Sequence, residues 1–333
     1  MKMKAAWYDQ RGAAREVLKV GEMEAPIAMP GEVLVRVHAT GINPSDTKSR
    51  MGAGARPNPW PLIIPHQDGA GVIEEVGEGL DPARVGERVW IYEAQLGRPF
   101  GCAAEYVAVP AKNAVPLPQE VSFEEGACLG VPALTAQRCV FADGSVEGRT
   151  VLVTGGAGAV GNYAIQFAKL GGAQVIATVS REEQAKVARN AGADHIINRR
   201  EENVAGRISE ITGSKDGRGV DRIVDVAFGA NLETSLKVLK TRGVIASYAS
   251  DEVPVPPLPF WPLAGLDATV RFVLVYVMGE SAHREAIQAT DDALRAGKLK
   301  HNIGARFTLD RIVEAHEALE TGRTVGKIVV TVS

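Results

Sequence analysis

The residues that could do chemistry fall in three places. The first is the run Thr150-Val-Leu-Val-Thr-Gly-Gly-Ala-Gly-Ala-Val-Gly161. It begins as a short β-branched apolar segment, which reads as a buried strand, and then enters a helical pattern from Tyr163 to Leu170. In that setting each glycine has its own task. Gly156 makes the tight turn, Gly158 lets backbone approach a pyrophosphate, and Gly161 lets the helix sit close to the strand. The phosphates would lie on the unpaired N–H groups at the positive end of that helix. In a chain with 36 glycines the plain alternative is an ordinary tight turn. The strand before it, the helix after it and a second strand, Gln174 to Val179, favour a dinucleotide site.

The second place is the end of that second strand. A fold that binds NAD usually sets Asp or Glu about 20 residues beyond the glycines, on the ribose 2′-hydroxyl. Here stand Val179, Ser180 and Arg181, with no acid before Glu182. A hydroxyl and a guanidinium suit a 2′-phosphate, because arginine pairs phosphate oxygens through two parallel bonds. Arg199 and Arg200 follow the third strand and could reach the same group. The spacing therefore predicts NADP rather than NAD, against the alternative that these arginines are solvated surface charge. The third place is Gly41-Ile-Asn-Pro-Ser-Asp-Thr-Lys-Ser-Arg50. It reads either as a capped turn opening a short helix or as a cleft wall presenting Asn43, Ser45 and Asp46.

Two kinds of scaffold must position these groups. Residues 1–127 read as β-rich. Gly31 to Ala39 alternates apolar and polar with period two, and Gly71 to Gly77, Arg88 to Tyr92 and Glu105 to Val109 read as further strands. The Gly- and Pro-rich loop from Arg50 to Pro61 is either a flap over a substrate, with Trp60 as a flat apolar contact, or a surface excursion. From Ser122 onward strand and helix alternate, which predicts a parallel sheet covered on both faces. Pro254 to Pro262 reads as a stiff connector, and its Phe260 and Trp261 either cover a cofactor or subunit surface or simply decorate a rigid loop. Thr269 to Tyr276 reads as the sixth strand, residues 283–296 and 309–320 as helices, and Lys327 to Thr331 as a last strand.

Composition narrows the partners. A length of 333 residues predicts two domains. A net charge of −3 gives no electrostatic reason to expect nucleic acid or an anionic membrane. Cys102, Cys128 and Cys139 form no CxxC pair and read as reduced thiols of a cytoplasmic protein. No apolar run follows the basic start Met1-Lys-Met-Lys4, so no secretory signal is expected. The longest apolar candidate for a membrane span, Thr269 to Met278, is broken by Arg271. The six histidines are scattered, none at zinc spacing with cysteine. His66-Gln67-Asp68 reads as a turn or hydrogen-bonding element rather than a ligand pair. Without a Lewis acid an ordinary carbonyl lacks polarisation, so the expected acceptor is intrinsically electrophilic: a quinone or a conjugated enone.

The order of Gly31-Glu-Val-Leu-Val-Arg-Val37, Gly41-Ile-Asn-Pro-Ser-Asp46, Gly69-Ala-Gly-Val-Ile-Glu-Glu-Val-Gly77, Ala104-Glu-Tyr-Val107 and Val131-Pro-Ala-Leu-Thr-Ala136 continues into the glycine run. Gly192 to Asn198, Gly219 to Asp225, Ala315 to Ala318 and Gly326 to Val329 complete it. Over nearly the whole chain this resembles the medium-chain dehydrogenase/reductase superfamily, and within it the zinc-free NADPH:quinone reductases of the ζ-crystallin-like branch. The resemblance implies a Rossmann doubly wound parallel sheet, residues 128–276, beside a β-rich GroES-like catalytic domain, residues 1–127 and 277–333. It implies that Asn43 and Gln67 stand where zinc relatives carry cysteine and histidine ligands, and that the third ligand falls near Val131. The four-cysteine lobe would lie between Trp90 and Tyr106, where only Cys102 occurs. No metal is expected.

Carried over from the family, the nicotinamide lies in the cleft between domains near Asn43 and Thr135, and the pyrophosphate on Gly158, Ala159, Val160 and Gly161. Phe228, Tyr248, Ser250 and Phe272 line the cofactor channel, and Ser45 takes the place of a proton-relay hydroxyl. Asp46 is expected to fix the loop rather than pass a proton. Two departures stand out: Lys48 replaces a tyrosine beside the quinone pocket, and Gln184 and Arg199 replace a lysine and a tyrosine at the 2′-phosphate. The expected activity is NADPH-dependent hydride transfer to a quinone. The alternatives are an enal or enone reductase, or a non-catalytic ζ-crystallin-like structural or RNA-binding role. A homodimer joined edge to edge through the sixth strands is also implied.

Overall fold

The computed structural model describes residues 1–52 and 60–332. The chain divides into two compact units, one of Met1–Val131 with the chain from Ile303 onward, the other Pro132–Asn302. The expected boundaries were 127/128 and 276/277. The segment after 276 stays with the second unit because its end is tied to the helix that follows the glycine run. Gln166 Nε2 donates to the Lys300 carbonyl at 2.9 Å while Lys300 N–H donates to Gln166 Oε1 at 2.7 Å. The Tyr163 hydroxyl meets His301 Nδ1 at 2.7 Å.

The first unit is built on the strand Glu32–Ile42, whose length lets it pair with three others. It runs antiparallel to Asp68–Val76, to Tyr106–Pro110 and to Lys327–Thr331. The last of these pairs in parallel with Ile303–Thr308, and Asp68–Val76 continues through Arg88–Ile91 to Ala114–Pro116. Val33, Val35, Val37, Ile73, Val89, Ile91, Ile328 and Val330 share one fully buried core, the period-two face that alternation demands. A ribbon of Lys2–Trp7 against Lys19–Glu24 adds Met3, Ala5 and Ala6 to that core. Of the Gly- and Pro-rich loop, residues 53–59 lie outside the described residues; Trp60 packs on the same core.

The second unit holds a six-stranded sheet, parallel throughout. In space its order is His195–Asn198, Gln174–Val179, Thr150–Val153, Val220–Asp225, Leu239–Ser247, Thr269–Phe272. Numbered along the chain that is 3-2-1-4-5-6, the doubly wound order. The residues of Thr150–Val153 are all buried, as a strand covered by helices on both faces requires. The chain order reverses between Thr150–Val153 and Val220–Asp225, so the crevice for a ligand opens at their carboxyl ends. The sixth strand ends at Phe272, not Tyr276, because the chain turns at Val275–Val277. The proline-rich connector is likewise shorter than expected: Phe260 already opens the helix Phe260–Gly265.

Candidate functional site

In the first unit the helix Pro44–Met51 carries the expected residues. Asn43 caps it in an extended conformation, and Pro44 follows at the first helical position, where a missing N–H is harmless. Asp46 Oδ2 accepts the Asn43 backbone N–H at 2.7 Å, so this carboxylate ties the loop to its helix. Burial pushes its pKa up to about 7, with the Asp68 charge adding, against the backbone donors at Asn43 and Gln67 and the Lys327 charge. Ser45 is half-buried and Lys48 exposed on the same helix.

The Asn43 side chain faces inward, into a group of residues that motif reading did not assemble. Lys327 Nζ donates to Asn43 Oδ1 at 2.6 Å and to Asp68 Oδ2 at 2.8 Å, and Asn43 Nδ2 donates to the same Asp68 oxygen at 2.8 Å. The second oxygen of Asp68 accepts the Val131 N–H at 2.8 Å. All three side chains are buried, Asp68 completely. The one available signal was Lys327, a single cation opening an otherwise apolar strand; the partner that neutralises it lies 259 residues away. Gln67 makes its own pair with Gln95, accepting the Gln95 N–H at 3.1 Å. Among the described residues no group of three His, Cys, Asp or Glu side chains is placed to hold a metal ion.

His66, read as part of a turn or hydrogen-bonding element, stands at φ 81°, a left-handed conformation uncommon outside glycine. Its ring is completely buried against His316, Nε2 to Nε2 at 2.9 Å, and its Nδ1 meets the Thr40 hydroxyl at 3.1 Å. Burial holds both imidazoles neutral. It is the first cause at His66, ahead of the His316 and Lys327 charges, and at His316, where the pKa falls to about 3 with Arg50 nearby.

In the second unit the glycine run makes the turn and helix start that spacing predicts, with one shift. The left-handed turn residue is Gly155, at φ 67°. Gly156 serves packing instead, since a Cβ there would lie 2.9 Å from Ala177 Cβ and Ile165 Cδ1. Gly161 lets the helix lie against the turn: a Cβ would meet the Gly155 carbonyl oxygen at 2.3 Å. At Gly158, the N-cap of Ala159–Leu170, a Cβ would meet, among the described residues, only that same carbonyl oxygen, at 3.4 Å. The first-turn N–H groups at Ala159, Val160 and Gly161 have no partner inside a helix and could hold a pyrophosphate.

Beside this turn, Asp225 ends the neighbouring strand, completely buried. Its Oδ1 accepts the Thr154 hydroxyl at 2.8 Å, the Ala227 N–H at 3.1 Å and Asn231 Nδ2 at 2.7 Å. Its Oδ2 has no hydrogen-bond partner among the described residues. A buried orphan acceptor at the crevice fits a ligand hydroxyl or an ordered water. Thr154 and Asp225 were not among the expected residues, though the pair closes the switch point.

Ser180 and Arg199 come together: Arg199 Nε donates to Ser180 Oγ at 2.9 Å, and Gln184 Oε1 accepts the Ser180 N–H at 2.8 Å. Arg181 is the half-buried N-cap of Glu182–Asn190. Phe228 is buried and meets the exposed Phe272 ring edge-on at 5.1 Å. Ser250 Oγ accepts the Gly229 N–H at 3.0 Å, and Tyr248 N–H donates to the Asp225 carbonyl at 3.1 Å. Thr135 is buried on a separate element, the helix Gly130–Phe141.

Known proteins give this geometry its context. Residues 29–119 match the model of an alcohol dehydrogenase GroES-like domain, and residues 191–330 that of a zinc-binding dehydrogenase. The quinone oxidoreductase of Homo sapiens is 30% identical over 94% of this chain and 93% of its own. A 2-haloacrylate reductase from a Burkholderia species is 31% identical over 90% of each. The solved structure of mycobacterial Rv1454c complexed with NADPH superposes with a TM-score of 0.85 at 29% identity, covering 99% of this chain and 100% of that one. With this sheet order, these two units and relatives matched nearly end to end, the chain belongs to the medium-chain dehydrogenase/reductases, in the company of the quinone oxidoreductases.

Proposed function

We propose that this chain is an NADPH-dependent reductase that passes hydride to a quinone without a metal. The observation that carries the reading is the Ser180–Arg199 contact of 2.9 Å at the end of the second strand. A hydroxyl and a guanidinium, already oriented toward each other, stand where selection of NAD would need a carboxylate. Bound NADPH would supply the hydride. The chain's own residues supply placement: first-turn N–H groups from Ala159 to Gly161 on the pyrophosphate, and Ser180, Arg181 and Arg199 on the 2′-phosphate. Thr135, Phe228, Tyr248, Ser250 and Phe272 complete the walls. Asn43 orients the acceptor, Asp46 fixes the loop that carries it, and solvent delivers the proton that the reduced oxygen takes up. Such a site works by orientation in an apolar setting rather than by Lewis acidity. The metal-free reading draws on donor chemistry: the two positions that resemble ligand positions hold carboxamides, at Asn43 and Gln67, each already hydrogen-bonded.

Initial rates of NADPH and NADH oxidation against benzoquinone, naphthoquinone, 2-alkenals and simple aldehydes test this, with metal content assayed alongside. Quinone reduction preferring NADPH and indifferent to chelators is expected. Zinc-restored activity on simple aldehydes would overturn it. A second reading, reduction of an activated alkene, is favoured by the 2-haloacrylate reductase relative; faster turnover of 2-alkenals than of quinones would select it.

We also place the protein in the cytoplasm, where its three free, buried cysteines stay reduced; none of the described helices is long and apolar enough to cross a membrane. A homodimer fits the edge strand Thr269–Phe272 and the exposed Phe260, Trp261, Phe272, Leu274 and Val277 beside it. Elution at monomer mass would count against it.

A further inference from the structure

A carboxamide has two ends of similar size and opposite chemistry, so shape alone does not decide which way Asn43 faces. Charge does. The Lys327 ammonium lies 2.6 Å from Oδ1 and an Asp68 oxygen 2.8 Å from Nδ2. Turning the amide over would set N–H against ammonium and oxygen against carboxylate, losing two charge-assisted bonds at once. The pair that imposes this is itself held, by its own 2.8 Å contact and by the Val131 N–H on the other Asp68 oxygen. Backbone without side chains clears its space. A Cβ on Gly41 would lie 2.5 Å from Lys327 Cε, and one on Gly130 would lie 2.1 Å from Asp68 Oδ1. A buried ion pair stabilises little relative to apolar residues of the same volume, so the cluster calls for a use other than stability.

We propose that Lys327 and Asp68 are positioning residues whose ion pair fixes one flip of the Asn43 amide, leaving its remaining Nδ2 hydrogen as the donor offered to the acceptor carbonyl. This rests on Asn43 orienting the acceptor, as in the function proposed above. The test uses full-length protein labelled with 15N-asparagine. The Asn43 side-chain amide is assigned by its loss in Asn43→Ala. Two resolved, slowly exchanging protons are expected in the parent protein. They should broaden or exchange rapidly in Lys327→Met. The double variant Lys327→Met/Asp68→Asn, which leaves no lone buried charge and so folds more readily, should do the same.

In NADPH-dependent reduction of 1,4-benzoquinone, Asn43→Ala and the neutral double variant should each lower kcat about tenfold with the KM for NADPH unchanged. Adding Asn43→Ala to the double variant should then cost nothing more, since both act through one amide. Unaltered Asn43 signals in the neutral variant, or losses that multiply in the triple variant, would overturn the proposal. If the parent protein reduces neither quinones nor enones, the function fails, and the amide signals still decide whether the ion pair locks the flip.

Discussion

Replacing His316 with glutamine should spare the first unit ~2 kcal/mol of the stability it loses between about pH 7.5 and pH 5. The Thr40 hydroxyl donates to the Asp68 carbonyl at 2.6 Å, so its oxygen accepts from His66 Nδ1–H. Neutral His66 then presents an unprotonated Nε2, to which His316 Nε2–H donates at 2.9 Å. An added proton has nowhere favourable to go. On His66 Nε2 it would face another donor, and on the buried His316 Nδ1, which has no hydrogen-bond partner among the described residues, it would place a charge near Arg50. Both folded-state pKa values therefore lie below 6.5, that of His316 at about 3. As pH falls through 6.5 the unfolded chain takes up protons that the folded chain refuses. The stabilisation is complete above that pH and is lost progressively toward the folded value.

For His316, with its folded value at about 3, the loss at about pH 5 is ~2 kcal/mol, and His66, shifted the same way by burial, adds to it. Glutamine can still donate to His66 Nε2 but does not titrate. Urea unfolding at about pH 7.5 and pH 5, read by tryptophan emission, measures the difference. The fully buried Trp90 belongs to the first unit, whereas Trp261 of the second is 79% exposed and changes little. His316→Gln should lose ~2 kcal/mol less than the parent protein between the two conditions. A variant that follows the parent within about 0.5 kcal/mol would refute the reasoning, because contributions from other carboxylates cancel in the comparison.

Asp46 works in the opposite direction. Its folded pKa is raised from 3.8 to about 7, so the cost of its buried charge is full above pH 7 and fades as pH falls toward 3.8. Asp46→Asn should gain stability relative to the parent by roughly 2–4 kcal/mol on going from about pH 5 to pH 8, measured by the same urea titrations. Arg199→Ala should raise the KM for NADPH roughly 10- to 100-fold and leave that for NADH within about twofold, as expected when a charge-assisted phosphate contact is lost; equal effects on both coenzymes would remove Arg199 from the 2′-phosphate. Gly161→Ala places a Cβ 2.3 Å from the Gly155 carbonyl oxygen, so it should weaken NADPH binding by at least about tenfold and lower the melting temperature by several degrees. Fluorescence titration and calorimetry check both.

Much of the second unit was legible because its signals are local. A β-branched run, three glycines and a helix with one apolar face are neighbours in the chain, and parallel strands buried on both faces read as apolar runs. Even there, Gly155 rather than Gly156 takes the left-handed turn, a distinction of one residue that depends on which glycine packs against Ala177 and Ile165. The ribbon Lys2–Trp7 with Lys19–Glu24 carries no comparable signal, since short polar-flanked strands gain their stability from a core supplied elsewhere. The helix-capping half of the Asn43–Asp46 reading followed from residue types alone.

The sequence by itself determined the parallel sheet covered on both faces, the glycine-rich turn into a helix, the hydroxyl and guanidinium after the second strand, and the carboxamides at 43 and 67. All of these depend on residue type within a few positions or on the period of an element. Only the tertiary structure decided that Lys327 neutralises Asp68 beside Asn43, that His66 meets His316, and that one Asp225 oxygen next to Thr154 finds no partner among the described residues. Those outcomes join residues far apart in the chain, and buried charges and rings take their meaning from partners that local pattern does not encode.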